Sequence, residues 1–315
     1  MIDSKNILLL TPYSSHTVAK GVLNSTQLTN HSLYELKFGE YDDFTKNLFG
    51  LQKQYFSNIS QSRNSKSIDL ETGIDYVNQI SEIIKTDNID LIIPTKEKYV
   101  LFMSEMEDFF KGKLFLPSNE VIHLFQDKLQ TYDFLKMYDS SFPVVETHLI
   151  TKNNLEHLFS VPQFVKPAVG SGGKNSKLVN GIEDFLTTFG DLEETLISCE
   201  PLIHPEFNHT IIVKNGEIIE SGTYQDLDNK LGASSRQKIV QIEEINDITQ
   251  RYVKLLNQVH PGETNGAYNI DFLKNNKGNL VLTEVNVGRL PGGHAVFNSV
   301  GKNMTKSYIE AGTQK

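Results

Sequence analysis

The sequence predicts an α/β protein that begins with a doubly wound parallel sheet and continues into a part with α+β character. Short apolar segments alternate with helical patterns through the first third of the chain, as in parallel sheets covered on both faces. Pro117-Ser118 then interrupts this pattern. A strand–turn–strand pattern over Tyr268–Gly293 ends in a glycine-rich loop. We therefore expect an N-terminal domain over 1–117 and a second domain over 118–315.

The first domain contains apolar segments of strand length and longer segments with helical spacing. The predicted strands are Asn6–Leu10, Ser32–Phe38, Asp90–Pro94 and Leu114–Leu116. The predicted helices are Thr17–Leu28, Asp42–Phe56, Ile74–Ile84 and Tyr99–Phe110. The polar segment Ser57–Ser67 is predicted to be a loop.

The first βα turn, Thr11–Ser15, contains no glycine, so the dinucleotide-binding fingerprint is missing. The loops Thr11–His16 and Pro94–Lys98 follow the carboxyl ends of predicted strands, where the ligands of such sheets bind. Two interpretations stay open for these loops: they line a substrate pocket, or they are structural connections.

The second domain opens with two capped helices, from Asn119 and over Lys128–Met137. Asn215-Gly216 predicts a hairpin turn between Thr210–Val213 and Ile218–Ser221. The other predicted strands are Val144–Ile150, Phe164–Pro167, Ser176–Val179 and Leu196–Ile203. The other predicted helices are Glu183–Phe189 and Ile245–Val259.

The composition excludes several classes of function. The 315 residues include 30 basic and 39 acidic side chains, a net charge of −9, so the chain lacks the overall basic charge of a nucleic-acid-binding protein. The single cysteine, Cys199, excludes an internal disulfide and a multi-cysteine metal site. No apolar segment approaches the roughly 18 residues that span a membrane, and the N-terminal segment does not resemble a signal peptide. We therefore expect a cytoplasmic protein with neither nucleic-acid nor membrane partners.

The hairpin pattern brings three oxygen-bearing side chains together. Asp271 and Glu284 lie at the same end of two neighbouring strands, and Asn286 faces the same side as Glu284 because the two are two residues apart. Two carboxylates and an amide oxygen suit a hard cation such as Mg²⁺. The alternative interpretation is a solvated hairpin face without a metal.

A glycine loop, Gly170-Ser171-Gly172-Gly173, lies between two predicted strands. Such a loop can fold over a polyphosphate and offer backbone N–H donors, although a plain β-turn is the alternative. Lys166, at the end of the preceding strand, can place a cation on a phosphate. Lys128 is a second candidate, with a solvated helix lysine as its alternative.

Five motifs in order resemble those of the ATP-grasp superfamily, and particularly its carbamoyl-phosphate-synthetase-type and D-alanine–D-alanine-ligase-type members. They are DK, FVKPAVGSGG, CEPLIHPE, NGAYNIDF and TEVNVGRLPGG, and the resemblance covers Ser118 to about Val300. It implies an α/β domain before an ATP-grasp core of two α+β lobes that clasp the nucleotide. The implied lid lobe covers about 155–222.

The resemblance also implies roles for individual residues. Lys128 and Lys166 would bind the α- and β-phosphates of ATP, and Gly170, Ser171, Gly172 and Gly173 would cover the phosphates. The residues implied to read adenine and ribose are Glu200, Pro201, Leu202 and Glu206. The residues implied to hold one or two Mg²⁺, or Mn²⁺, are Asp271, Glu284 and Asn286. Arg289 would lie near the γ-phosphate or an acyl phosphate.

Four residues depart from the family pattern or stand outside it. Val287-Gly288 separate Arg289 from the E-x-N motif, which leaves the position of the arginine open. Pro201 lacks an N–H, so adenine would be read by other backbone groups of the hinge. Arg236 is either a contact to phosphate or to a substrate carboxylate, or a solvated loop arginine. His294 is either a structural histidine or a residue that faces the substrate.

The predicted function is that of an ATP- and Mg²⁺-dependent ligase that joins a small carboxylate to an amine or a thiol. An acyl phosphate would form, with release of ADP and phosphate, and Lys166, Arg236 and Arg289 are the candidate catalytic residues. One alternative is a carboxylate or carbamate kinase, or a bicarbonate-using carboxylase of the same fold. Another alternative is a nucleotide-binding regulatory protein without catalysis. The oligomeric state stays open, with a homodimer common in the superfamily.

Overall fold

A computed structural model describes residues 4–12, 17–38, 59–62, 74–170, 172–190, 193–227 and 236–314. The helix predicted over Asp42–Phe56, most of the Thr11–His16 loop and the glycine-loop residue Ser171 lie outside the described residues. None of the helices within these ranges is long and apolar enough to cross a bilayer.

A parallel sheet in the order β3-β2-β1-β4 forms the first part of the chain. Its strands are β1 (Asn6–Pro12), β2 (Ser32–Phe38), β3 (Ile59–Ser62) and β4 (Leu91–Pro94). Its helices are α1 (Thr17–Thr26), α2 (Ile74–Thr86) and α3 (Glu97–Glu105), followed by a 3-10 turn over Glu107–Phe110. Ile7 and Leu9 pack with α1, whereas Leu8 and Leu10 pack with α2 and α3. Both faces are therefore covered, and the doubly wound prediction is confirmed.

Two predictions for this region are wrong. Leu114–Leu116 forms no strand, and only the preceding Lys113 carbonyl accepts a hydrogen bond from Ile92 of β4, at 2.8 Å. Ser57–Ser67 is not a loop throughout, because Ile59–Ser62 is β3. Pairing of Leu33 with Ile59 and of Glu35 with Ser62 adds β3 to the sheet edge. A partner strand therefore decides the structure of a segment whose polar composition indicates a loop.

An antiparallel sheet in the order β11-β10-β9-β12-β13, called here the central sheet, follows later in the chain. Its strands are β9 (Ile203–Lys214), β10 (Glu217–Asp226), β11 (Gln237–Val240), β12 (Gly266–Lys274) and β13 (Leu280–Val287). Helix α8 (Glu243–Val259) packs its apolar stripe against one face, where Tyr252 contacts Tyr268 edge to face. The opposite face of β9, β12 and β13 carries the polar residues described below.

A smaller antiparallel sheet in the order β5-β8-β6-β7, called here the lid sheet, has its own core around Phe159 and Phe185. Its strands are β5 (Thr147–Leu149), β6 (Gln163–Pro167), β7 (Lys177–Val179) and β8 (Leu196–Cys199). Helices α6 (Leu155–Leu158) and α7 (Ile182–Phe189) pack in this core. Helices α4 (Asn119–Leu124) and α5 (Lys128–Tyr138) instead share the core of the central sheet. The lid lobe over about 155–222 stays a prediction. Residues from Ile203 onward pair with β12 in the central sheet.

The C-terminal segment packs back on the parallel sheet. A 3-10 turn (His294–Val300) and helix α9 (Met304–Thr313), which the sequence patterns do not indicate, share a core with Ile7 and Leu91. The Tyr308 hydroxyl donates a hydrogen bond to the Phe115 carbonyl at 2.6 Å. The domain boundary at residue 117 stays a prediction, since this core joins residues from both sides of it.

His294 is a structural histidine, and the alternative that it faces the substrate is wrong. Its ring is fully buried, and its nitrogens contact the Pro291 carbonyl at 2.6 Å and the Thr305 hydroxyl at 3.0 Å. Burial lowers the pKa of His294 to about 4, so the ring is neutral near pH 7. A Cβ on Gly21 would lie 2.5 Å from the His294 Cε1 atom. The His294 ring can therefore pack this closely against α1 only because residue 21 is a glycine.

Gly21→Ala should destabilise the protein by about 1–3 kcal/mol, because overpacking against a buried ring costs that much. Helix propensity alone predicts the opposite sign, a gain of about 1 kcal/mol for replacing glycine inside a helix. Urea unfolding of the wild type and the variant distinguishes the two. In a His294→Ala background the same change should cease to destabilise, and a stabilising effect in the wild type would contradict the packing described here.

Candidate active site

The hairpin of β12 and β13 places its acidic residues opposite each other. Asp271 pairs with Glu284, and Asn269 pairs with Asn286, so all four side chains lie on one face of the central sheet. Asn269 Nδ2 donates a hydrogen bond to Asp271 Oδ1 at 2.6 Å. Asp271 is 8% exposed, while Glu284 and Asn286 are partly buried. The three residues predicted to bind metal therefore lie on one face, as the spacing indicates.

The same face continues across the neighbouring strands. Asn208 of β9 pairs with Asp271, and its Nδ2 donates to Asp226 Oδ2 of β10 at 3.2 Å. Glu206 lies two residues before Asn208 and shares its face. Four acidic side chains thus lie on four adjacent strands, and we call them the acidic row: Asp226, Glu206, Asp271 and Glu284. Asp226 was missed by the sequence analysis, since a lone Asp at the end of a strand carries no motif.

The acidic row is destabilised by its own charge. Burial, and next the charges of Asp226 and Glu284, raise the pKa of Glu206 to about 7. Burial raises the pKa of Asp271 well above its ordinary value, and the charges of Glu206 and Glu284 raise it further. Carboxylates in such surroundings favour the neutral form unless a cation compensates their charge.

The oxygen donors fit a hard divalent cation. Asp271, Glu284 and Asn286 offer two carboxylates and an amide oxygen, a set that leaves room for waters and phosphate oxygens around Mg²⁺. Among the described residues, three or more His, Cys, Asp and Glu ligand atoms lie within 4.8 Å of one another only at Glu120, His260 and Glu263, whose two glutamates are exposed. A cation on the hairpin would therefore have at most two acidic ligands.

Lys128 connects the hairpin with the glycine loop. Asp127 caps helix α5, and Lys128 is its first residue. The Lys128 Nζ lies 3.2 Å from Glu284 Oε1 and donates a hydrogen bond to the Gly170 carbonyl at 2.7 Å. The side chain is 10% exposed, so the alternative of a solvated helix lysine is wrong.

Lys166 reaches the hairpin from the lid sheet. A β-bulge between Asp271 and Phe272 leaves Thr283 without a strand partner, which frees its carbonyl. The Lys166 Nζ lies 3.4 Å from this carbonyl and 3.2 Å from the Tyr132 hydroxyl, which itself donates to the Thr283 carbonyl. No sequence pattern marks Tyr132 as a site residue, because its position in α5 has the apolar spacing of an ordinary core residue.

The glycine loop lies between β6 and β7. Gly170, Gly172 and Gly173 have φ angles of 154°, 69° and 69°, in the left-handed region that glycine adopts without strain. A Cβ on Gly172 would meet nothing within 4 Å, so the backbone conformation rather than crowding requires glycine there. The hinge residues Glu200-Pro201-Leu202 lie between β8 and β9, where the chain passes from the lid sheet to the central sheet.

Arg289 remains at the site although two residues separate it from the E-x-N motif. Gly288 has a φ of 79° and turns the chain, and Arg289 Nη2 then donates to Asn286 Oδ1 at 3.0 Å. Lys96, the N-cap of α3, and Glu97, the first residue of that helix, lie near this arginine. Burial raises the pKa of Glu97, and the positive charge of Arg289 opposes this shift. Burial lowers the pKa of Lys96, and the positive charges of nearby lysines and of Arg289 lower it further.

Arg236 and the Pro94–Lys98 loop differ in their placement. Arg236 is exposed just before β11, and its carbonyl accepts a hydrogen bond from the Leu227 N–H at 3.0 Å. The Pro94–Lys98 loop instead brings Glu97 into a cavity that Asn286 and Arg289 also line. Of the two interpretations of this loop, lining a pocket is therefore the one that the geometry favours.

The fold matches those of several solved structures at low sequence identity. One is the biotin carboxylase domain of Hydrogenobacter thermophilus 2-oxoglutarate carboxylase, a dimer with MgADP, ADP and bicarbonate. Its TM-score is 0.70 at 16% sequence identity, and the match covers 99% of this chain and 70% of the other chain. N5-carboxyaminoimidazole synthetase from Staphylococcus aureus, complexed with ADP, has a TM-score of 0.70 at 16% identity, with 99% and 78% covered. L-amino acid ligase from Bacillus licheniformis has a TM-score of 0.69 at 15% identity, with 99% and 75% covered.

These proteins are ATP-grasp enzymes, so the chain has the ATP-grasp fold and the resemblance seen in its sequence is confirmed at the level of fold. No protein-family model matches the chain, and none of the curated proteins matches it at a significant level.

The raised pKa of Glu206 predicts that Glu206→Gln stabilises the metal-free protein by an amount that depends on pH. A carboxyl group with a raised folded-state pKa stabilises the fold below its unfolded pKa of 4.5, and this contribution is lost as pH rises through about 7. The free energy of unfolding of the variant should therefore exceed that of the wild type by about 3 kcal/mol at pH 8, and by less than about 1 kcal/mol at pH 5.

Urea unfolding in the presence of a chelator measures both values. Glu217→Gln, at an exposed position on β10, is the matched control and should show no such dependence. An equal effect at the two pH values would contradict the charge repulsion assigned to the acidic row.

Proposed function

We propose that this protein is an ATP- and Mg²⁺-dependent ligase that joins a small carboxylate to an amine or a thiol through an acyl phosphate. The observation that carries the proposal is the position of Lys128, whose Nζ contacts both Glu284 of the hairpin and the Gly170 carbonyl of the glycine loop. This contact brings a cation, the carboxylates of the hairpin and the glycine loop to one place, as phosphoryl transfer requires.

The residues at the site support a division of roles. Lys128 and Lys166 would neutralise phosphate oxygens, and the backbone N–H groups of 170–173 would cover them. The hinge Glu200-Pro201-Leu202 would read adenine and Glu206 the ribose hydroxyls. Asp271, Glu284 and Asn286 would hold one or two Mg²⁺, or Mn²⁺. When bound, the metal would supply positive charge to the transferring phosphoryl group.

The proposed reaction has two steps. A carboxylate oxygen of the substrate bonds to the γ-phosphorus of ATP, and the bond from that phosphorus to the β,γ-bridging oxygen breaks to release ADP. The amine nitrogen or thiolate sulfur then bonds to the acyl carbon, and the carbon–oxygen bond to phosphate breaks. Arg289, fixed by its hydrogen bond to Asn286, would stabilise charge on the acyl phosphate, and the glycine loop would exclude water.

A bicarbonate-using carboxylase is a second candidate, because the similar Hydrogenobacter thermophilus structure contains bicarbonate. The dimer in that structure also supports a homodimer here. The regulatory alternative is less favoured, because a protein that only binds nucleotide has no requirement for the facing carboxylates of Asp271 and Glu284. The cytoplasmic location stays a prediction.

The function can be tested without knowing the amine. The protein is incubated with ATP, Mg²⁺ and a panel of small carboxylates, with hydroxylamine as a strong nucleophile that converts an acyl phosphate into a hydroxamate. ADP and hydroxamate should form together with at least one carboxylate, and a parallel bicarbonate arm detects carboxylation. Binding of ATP with no ADP release in any arm would contradict the ligase proposal.

Glu284→Gln should lower the rate of ADP release about 100- to 1,000-fold, because a carboxylate that would hold the cation at the transferring phosphoryl group is lost. Affinity for a fluorescent ATP analogue should change less, since the hinge and both lysines remain. Glu244→Gln, at an exposed glutamate of α8, which packs on the opposite face of the central sheet, is the matched control. Undiminished turnover in Glu284→Gln would show that the metal assignment is wrong.

A further inference from the structure

Helix α5 presents two side chains to β13 from one face. Lys128 and Tyr132 are four residues apart, so they lie on the same side of the helix. Lys128 contacts the side chain of Glu284. Tyr132 donates a hydrogen bond to the carbonyl of the preceding residue, Thr283. Packing of α5 against β13 therefore places an ammonium group and a phenol at two consecutive residues of the hairpin.

The Tyr132 hydroxyl acts as an acceptor toward Lys166. Its one proton is donated to the Thr283 carbonyl, so its oxygen offers lone pairs to the Lys166 Nζ, which lies 3.2 Å away. Tyr132 is 3% exposed, and burial raises its pKa well above the ordinary value, so the hydroxyl keeps its proton. The contact is therefore a hydrogen bond from a charged ammonium group to a neutral phenol.

The Lys166 ammonium group keeps one N–H that no protein acceptor uses. A lysine ammonium has three donors, and the Tyr132 hydroxyl and the Thr283 carbonyl, at 3.2 and 3.4 Å, accept two of them. Within the described part of the chain, Lys166 has no further acceptor and forms no ion pair with a carboxylate. A partly buried ammonium group with an unused donor beside the hairpin indicates an anionic ligand there.

The ring of Tyr132 also restricts the lysine. The Lys166 Nζ lies 5.8 Å from the centre of the ring, within the range of a cation–π interaction. A lysine side chain is a flexible four-carbon stem that ends in a point charge, so contacts along the hairpin decide where that charge lies. Without the phenol hydroxyl, the Thr283 carbonyl would be the one remaining acceptor, and the ammonium group would be held less precisely.

We infer that Tyr132 is the positioning residue of Lys166, and that its hydroxyl holds the Lys166 ammonium group beside the hairpin with one N–H free for a phosphate oxygen of the nucleotide. Tyr132 acts through Lys166 and does not itself contact the nucleotide. The role differs from packing, because phenylalanine would fill the same space and lack only the hydroxyl. The inference rests on the proposed function, specifically on the phosphate-binding role of Lys166.

Tyr132→Phe tests the hydroxyl, and Tyr138→Phe, at an exposed tyrosine of the same helix, is the matched control. Affinities for ATP and for adenosine are measured by displacement of a fluorescent ATP analogue in the presence of Mg²⁺. Tyr132→Phe should weaken ATP binding about 3- to 10-fold, because a hydrogen bond to a charged group is lost while one acceptor remains. Adenosine affinity should stay unchanged, since adenosine carries no phosphate, and the control should change neither affinity.

A double-mutant cycle with Lys166→Met separates positioning from a general effect on the fold. In the Lys166→Met background, Tyr132→Phe should leave ATP affinity unchanged, because no ammonium group remains to be positioned. Equal losses of ATP and adenosine affinity, or the same loss of ATP affinity in the Lys166→Met background, would assign Tyr132 a packing role and overturn the inference. Undiminished ATP affinity in Tyr132→Phe would overturn it as well.

The same measurements separate this inference from the proposed ligase reaction. Coupling between Tyr132 and Lys166 in ATP affinity, with no ADP release for any carboxylate, would support the inference and overturn the ligase. Formation of ADP and hydroxamate without that coupling would overturn the inference and leave the ligase standing. A wild type that binds neither ATP nor the fluorescent analogue would overturn both.

Discussion

Repulsion between buried carboxylates on one face of the central sheet is the constraint on which the site depends. Glu206 and Asp271 have raised pKa values because burial and neighbouring acids disfavour their charged forms. Cationic side chains from separate elements offset this repulsion: Lys128 at a helix start, Lys166 on the lid sheet and Arg289 after β13. Because those elements can approach the hairpin only in the folded chain, the charge balance ties the lid sheet to the central sheet.

A β-bulge lets the hairpin bond to elements outside the central sheet. The bulge at Thr283 exposes a carbonyl that Tyr132 and Lys166 both use, so one unpaired backbone group fixes a helix and a strand of the lid sheet against β13. His294 joins two other parts of the chain. Its buried ring packs against Gly21 of α1 and helps hold the C-terminal segment against the parallel sheet. The site thus lies between parts of the chain that are joined by specific buried contacts.

Much of this arrangement could be predicted from local patterns. The turn residues around Gly278 indicate the hairpin, and the two-residue period of a strand places Glu284 and Asn286 on one face. The capping residues Ser118 and Asp127 predict two helix starts. Strand β3 was missed, because a polar edge strand is specified by its partner rather than by its own composition. Asp226 was missed as well, because it belongs to no pattern that local spacing can reveal.

The sequence by itself determined most of the elements, the order of the motifs and the chemistry of the hairpin, since each depends on residues that are close along the chain. Only the tertiary structure decided which cations meet the acidic row and which residues line the cavity beside Arg289. Lys128 and Glu284 are far apart in sequence yet 3.2 Å apart in space, and Glu97 meets Arg289 across the two parts of the chain. Such contacts depend on how sheets pack, and packing is set by the whole core rather than by any one segment.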